Sequence, residues 1–125
     1  PFEHRSYGEE LALCQRYYYL HADGSEASNQ IVCTGFYESN TVLFGTIDFP
    51  VTMSSLPKNV SATGTDFYNF FGAGGSDTFN SLSSALSSKK TAGFFNSSEA
   101  SGTAGQAKSI RLNSASAFVA FDAEL

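Results

Sequence analysis

The spacing of turn-forming residues is the feature that most restricts what this chain can fold into. After the Asp23-Gly24 pair, turn residues recur at short intervals, at Pro50, at Pro57 and at the glycines 72, 74 and 75. The segments between them are short and rich in β-branched and aromatic residues, which favour strands. The pattern predicts a mainly β fold with about seven short strands, and it disfavours alternating strands and helices.

Helical spacing is confined to the N-terminal segment. Ser6 followed by Glu9 fits a capping box, with the serine at the N-cap. Apolar residues then recur at spacings of four, three and four, on one helical stripe: Tyr7, Leu11, Cys14 and Tyr18. The spacing predicts a helix over residues 6–20. The stripe is heptad-like, so it is either an interface between copies of the chain or a face that packs on the chain's own sheet.

Strands are expected over residues 31–37, 41–49, 66–71 and 91–96, and a terminal hairpin over 107–112 and 115–122, turning at Asn113-Ser114. Residues 80–88 fit either a helical turn or a loop. We interpret residues 1–5 as the end of an upstream domain or a linker. We expect residues 6–20 to form the helix and 21–125 a single β-sandwich-like (jelly-roll-like) domain. The last strand carries apolar residues on both faces, as in a sandwich or a subunit interface.

Charge argues against two classes of partner. The chain of 125 residues has a formal net charge of −5, and its few basic residues are scattered. Nucleic-acid binding needs clustered Lys and Arg, so we expect no nucleic-acid partner. No apolar run approaches the ~20 residues of a membrane span, so no membrane insertion is expected.

No residue pattern indicates catalysis or metal binding. His4, His21, Asp23 and Cys33 match no zinc-ligand spacing, and no G-x-S-x-G motif is present. We therefore expect a protein that is not an enzyme and needs no cofactor or metal. Cys14 and Cys33 are expected to be reduced and packed.

The aromatic segment at residues 66–71 has the chemistry of a sugar-binding surface. Aromatic rings cover the C–H faces of sugars, and Asp and Asn side chains bind the hydroxyls. The candidate glycan-binding residues are Asp66, Tyr68, Asn69 and Phe70. Alternation places Phe67, Asn69 and Phe71 on one face and Asp66, Tyr68 and Phe70 on the other. One face must be core, and the second is a glycan surface, a subunit interface or a second buried face.

Three segments carry a resemblance to a known family. They are FEHRSYGEELALCQRYY at 2–18, IDFPVTM at 47–53 followed by Leu56-Pro57, and FDAEL at 121–125. They resemble phage tail-fibre and minor virion structural proteins, in which a jelly-roll domain ends in a PFE-x-R segment, followed by a helix and a C-terminal β domain. Residues 62–106 contain no motif that can be placed.

The resemblance implies a location in the virion, in a tail fibre or surface appendage. It implies a homotrimer that attaches to a host cell-surface glycan or protein and contacts other tail or virion proteins. It supplies no catalytic residues. Two alternatives remain: a purely structural assembly or cap domain, and the terminal module of a polysaccharide-degrading tailspike whose catalytic carboxylates lie elsewhere.

Overall fold

The computed structural model describes residues 6–26, 29–73, 75–97 and 99–124. The elements, in chain order, are α1 (Tyr7–Gln15), β1 (Tyr18–Asp23), β2 (Ile31–Ser39), β3 (Val42–Asp48), β4 (Lys58–Asn59), β5 (Tyr68–Gly72), β6 (Gly75–Phe79), β7 (Ser83–Ser87), β8 (Thr91–Asn96), β9 (Ala107–Leu112) and β10 (Phe118–Asp122).

The strands form two antiparallel sheets. The large sheet has seven strands in the order β6-β5-β9-β2-β3-β8-β7, and the small sheet has three in the order β1-β10-β4. The predicted fold class is therefore confirmed: the protein is mainly β and sandwich-like, with one short N-terminal helix.

The core is an aromatic cluster to which both sheets contribute. Phe121 of β10 lies 5.0 Å from Phe49 and 5.6 Å from Phe94 of β8, measured between ring centroids. The Tyr68 hydroxyl of β5 lies within hydrogen-bond distance of the carbonyl oxygens of Ala62 and Phe118. Because Phe118 belongs to β10, Tyr68 ties the large sheet to the small one.

The helix begins where the capping box predicts and ends earlier than expected. Ser6 Oγ accepts a hydrogen bond from the backbone N–H of Glu9 at 3.2 Å. The helix stops at Gln15, not at residue 20, so the predicted end is wrong. Tyr18 lies in β1, which pairs with β10. The tyrosines at 17–19 continue the helical spacing, but aromatic residues also suit a strand, and a partner strand is available.

The predicted terminal hairpin is also wrong. β9 lies between β5 and β2 in the large sheet, whereas β10 lies between β1 and β4 in the small one. The connecting segment crosses between the sheets and passes tightly over Gly24. A Cβ at Gly24 would lie only 2.8 Å from the Ala117 carbonyl oxygen, so this close approach requires glycine.

Most of the other expected strands are present. β2, β3, β5 and β8 lie where residues 31–37, 41–49, 66–71 and 91–96 were expected to be strands. Residues 80–88, interpreted as a helical turn or a loop, contain β7. Its backbone pairs with β8, and that pairing cannot be anticipated from a local segment of serines.

Candidate functional site

The glycan-binding prediction fails for two of its four residues. Tyr68 and Phe70 are fully buried, with 0% of their surface exposed. Phe70 packs edge-on against Tyr37 with the ring centroids 5.0 Å apart, and Tyr68 stacks on Phe79. These two aromatic rings belong to the core and cannot contact a ligand.

The other two predicted residues remain accessible. Asp66 lies in a turn at φ 53°, with its backbone N–H donating to Asn80 Oδ1 at 2.9 Å and its carbonyl accepting from Asn113 Nδ2 at 3.0 Å. Asn69 lies in β5 with its side chain on the opposite face from Tyr68. Phe71 shares the face of Asn69 and is 41% exposed.

The outward face of the large sheet is therefore the candidate ligand-binding surface. We call it the open sheet face and define it by Asn69 and Phe71 of β5, Ser109 and Arg111 of β9, and Phe36 of β2. Directly opposed residues share a face. Asn69 is opposite Arg111, Phe71 is opposite Ser109, and Phe36 is opposite Ala107.

Arg111 is the most constrained side chain of the open sheet face. Its Nε donates to Ser109 Oγ at 2.9 Å, and its guanidinium carbon lies 4.7 Å from the centroid of the Phe71 ring. Stacking and one hydrogen bond both restrict the guanidinium plane. Among the described residues, its terminal amino groups have no acceptor.

Asn69 contains a buried polar atom without a partner. Its Oδ1 accepts no hydrogen bond within the described part of the chain, and Nδ2 makes only a long one, 3.5 Å, to Ser76 Oγ. Buried polar atoms are normally paired, so an unpaired oxygen on the open sheet face requires an explanation.

Aromatic rings extend the open sheet face across further strands. Phe36 is 43% exposed and lies 5.9 Å from Phe44 of β3, between ring centroids. Phe44 is opposite Phe95 of β8 in the strand register. Phe44 and Phe95 are partly buried, so Phe36 is the exposed member of this row of rings.

A second surface lies at the N-terminal end. We call it the N-terminal apolar surface; its members are exposed and comprise Tyr7, Leu11 and Cys14 of α1, Tyr17, and Tyr18 and Leu20 of β1. It contains all four residues predicted as an oligomer interface. None of the nine residues of α1 is buried, so the alternative, a stripe packed on the chain's own sheet, is not observed.

The end of α1 is attached to the sandwich through its backbone. Ser54 N–H donates to the Arg16 carbonyl at 2.8 Å, and Ala123 N–H donates to the Tyr17 carbonyl at 2.7 Å. A groove of about 380 Å³ runs between the helix and Val51. The helix is thus fixed at its C-terminal end while its apolar side chains stay exposed.

A polar cluster at one end of the sandwich has a structural explanation. The Tyr37 hydroxyl donates to Asp77 Oδ2 at 2.8 Å, and Lys108 Nζ lies 5.4 Å from the Tyr37 ring centroid. Burial, with a smaller contribution from Asp77, raises the pKa of Tyr37 well above its usual value. Asp77 also accepts from the Ser101 N–H at 2.9 Å, so the cluster fastens a loop to the sheet.

The residues considered as metal ligands do not form a metal site. His21 donates from Nε2 to the Val32 carbonyl at 2.7 Å, and its Nδ1 lies 2.9 Å from the Tyr19 hydroxyl. Among the described residues, no three His, Cys, Asp or Glu side chains form a group that could hold a metal ion. His4 lies outside those residues.

The two cysteines differ in their surroundings. Cys33 is partly buried against the core, and burial raises its pKa to about 12. Cys14 is exposed on α1, which corrects the expectation that both are packed. Both are free, as the sequence predicts.

Comparisons with protein-family models, curated proteins and solved structures gave no match. Among the described residues, no helix is long and apolar enough to cross a membrane.

Proposed function

We propose that this chain is a binding and assembly module of a phage tail-fibre-like virion protein. In this proposal, copies of the chain associate as a homotrimer through the N-terminal apolar surface. The open sheet face then attaches to a glycan on the host cell surface. The chain acts by binding and not by catalysis.

The observation that carries the proposal is the exposure of α1. A short isolated helix is marginal in water, and most helices are stabilised by burying an apolar face. α1 buries none of its residues, although it carries an apolar stripe. Tyr7 on this stripe is 82% exposed, and Leu11 and Cys14 follow it on the same side of the helix. A second and a third copy of the chain would supply the missing partner, as the heptad-like spacing favours.

The ligand-binding part rests on the open sheet face. Exposed aromatic rings, hydroxyl groups and an amide are the groups that recognise sugars. Phe36 and Phe71 supply the rings, and Asn69 and Ser109 supply polar atoms beside them. A trimer would present three such faces, and several weak contacts would then add up to strong attachment.

The mass of the chain in solution tests the assembly part. Light scattering over a range of concentrations should give the mass of three chains, and Leu11→Ser should shift it towards one chain. Ile31→Ser is a matched control, because Ile31 is an exposed apolar residue outside the N-terminal apolar surface. A wild-type chain that stays monomeric at every concentration would contradict the proposal.

A glycan array tests the ligand-binding part. The wild-type chain should bind a subset of surface glycans, and Phe36→Ser should weaken that binding without changing the mass. Absence of binding to every glycan, with a trimeric mass, would leave a purely structural assembly domain.

A further inference from the structure

We infer that the open sheet face contains a carboxylate-binding subsite centred on Arg111, and that its ligand is an acidic saccharide such as a uronate or sialate. This inference rests on the proposed function, because it assigns the chemical class of the glycan. Two observations support it: the preorganisation of Arg111 and the position of β9 within the sheet.

Arg111 is the only cation at an outward strand position of the large sheet within the described residues. The other basic strand residue of this sheet, Lys108, is turned inward, 8% exposed and placed over the Tyr37 ring. The whole chain has a formal net charge of −5, so its overall field does not attract anions. Glu38 of β2 and Asp48 of β3 are exposed acids at outward positions of the same sheet. A preference for an anion would therefore have to come from the hydrogen bonds of Arg111 itself.

The guanidinium is held ready for a planar anion. Its plane is restricted by the Phe71 ring at 4.7 Å and by the bond from Nε to Ser109 Oγ at 2.9 Å. Its terminal N–H groups have no acceptor among the described residues. A carboxylate can accept two parallel hydrogen bonds from such a fork. Because the plane is already restricted, less side-chain entropy is lost on binding.

The surroundings of Arg111 suit a sugar ring. Asn69 is directly opposite Arg111 in the strand register. Its Oδ1 has no hydrogen-bond partner, and a rotation of the side chain would allow it to accept a hydrogen bond from a sugar hydroxyl. Ser109 and Thr34 add hydroxyl groups on the same face. The 43% exposed ring of Phe36 is opposite Ala107, one strand across and four residues along the sheet from Arg111, thus roughly 14 Å away. At that distance it can cover the apolar face of another sugar of the same saccharide chain.

An acidic peptide fits this position less well. Extended peptides commonly bind by adding a strand to a sheet edge, where backbone groups are unpaired. β9 is an interior strand, paired with β5 on one side and β2 on the other. Only side chains are available to a ligand above β9. These side chains carry a guanidinium, an amide and hydroxyls, which suit a carboxylated sugar ring.

The test compares matched acidic and neutral saccharides by calorimetry. The probes are trigalacturonate with its methyl ester, and sialyllactose with lactose. At least one acid should bind tenfold or more tightly than its neutral counterpart, since bidentate bonds to a charged acceptor are strong. Arg111→Gln should remove this difference, and Arg111→Lys should restore part of it. Lys89→Gln is the control for net charge, because Lys89 is exposed and lies outside the strands that form the face.

Each outcome has a distinct meaning. Equal binding of acid and neutral probes by the wild-type chain would overturn the acidic class while leaving glycan attachment in place. Arg111-dependent binding of hexaglutamate that exceeds the binding of both acids would overturn the saccharide and indicate a peptide. No binding to any glycan on a broad array would refute the ligand part of the proposed function and this inference together. Thermal unfolding of each variant establishes that it is folded.

Discussion

The interior of the sandwich and the N-terminal apolar surface contain similar residues in opposite environments. In the interior, Tyr37, Tyr68 and Phe94 are buried by residues of the same chain. At the N-terminal apolar surface, Tyr7 and Leu11 are exposed, although they are no less apolar. Hydrophobic content alone therefore does not distinguish the core from the surface.

The difference indicates what each region contributes. Interior rings are surrounded by partners on both sheets, so their burial stabilises the single chain. The side chains of α1 find little cover within the described part of the chain, so they contribute little to its stability. Apolar residues that do not stabilise the monomer are available for contact with another molecule. The following predictions test this division.

The largest effect is expected from truncating a core ring. Phe70→Ala should lower the free energy of unfolding by about 3–5 kcal/mol, because it removes a fully buried ring and leaves a cavity. Phe71→Ala is the matched control on the next residue of β5, and it should cost about 1 kcal/mol or less, through the lost contact with Arg111. Urea denaturation measures both. Equal losses would show that the two faces of β5 are not distinct.

A smaller effect is expected from the hydroxyl that joins the two sheets. Tyr68→Phe should lower the free energy of unfolding by about 1–3 kcal/mol at pH 7, because buried carbonyls at Ala62 and Phe118 lose their donor. Tyr7→Phe, on exposed α1, is the control and should change little.

Tyr68→Phe should also change how the free energy of unfolding depends on pH. Burial raises the pKa of Tyr68 above its ordinary value of 10.0. The unfolded chain therefore releases this proton at a lower pH than the folded chain does. The contribution of protonated Tyr68 to the free energy of unfolding is fully present below pH 10 and is lost as the pH rises above it. Urea denaturation at pH 8 and at pH 11 measures the free energy of unfolding. Its decrease between the two pH values should be smaller for Tyr68→Phe than for the wild-type chain. Equal losses would mean that Tyr68 does not contribute to alkaline unfolding.

The smallest effect on the monomer is expected at α1. Leu11→Ser should change the free energy of unfolding by less than about 0.5 kcal/mol when measured at concentrations where the chain is monomeric. Leu43→Ser, in the core, provides the contrast and should unfold the chain or destabilise it severely. A large loss for Leu11→Ser in the monomer would show that α1 packs on the sandwich after all.

Local sequence patterns predict local features of this molecule. The capping box at Ser6 and Glu9 locates the start of α1, and alternation in residues 68–71 correctly separates Tyr68 and Phe70 from Asn69 and Phe71. Which of those two faces is buried depends on the partner sheet, and no local pattern contains that information. The glycan prediction therefore included two core rings.

Long-range pairing was the other source of error. Tyr18 pairs with Asp122 near the opposite end of the chain, which converts the end of an expected helix into β1. The apparent hairpin of β9 and β10 was divided between two sheets for the same reason. Arg111 could have been noticed, because it stands between Ile110 and Leu112, which are both buried. A lone arginine alternating with core residues indicates an outward side chain.

The central claim, that another copy of the chain covers the N-terminal apolar surface, is tested most directly by the reactivity of Cys14. A thiol-labelling reagent at pH 8 should modify exposed Cys14 rapidly in dilute protein and roughly tenfold or more slowly at concentrations where the chain associates. Cys33 is an internal reference that should react slowly throughout, since burial raises its pKa to about 12. Leu11→Ser should keep Cys14 reactive at high concentration. If Cys14 of the wild-type chain reacts equally fast in the monomer and in the associated state, the copies meet elsewhere and the claim is contradicted.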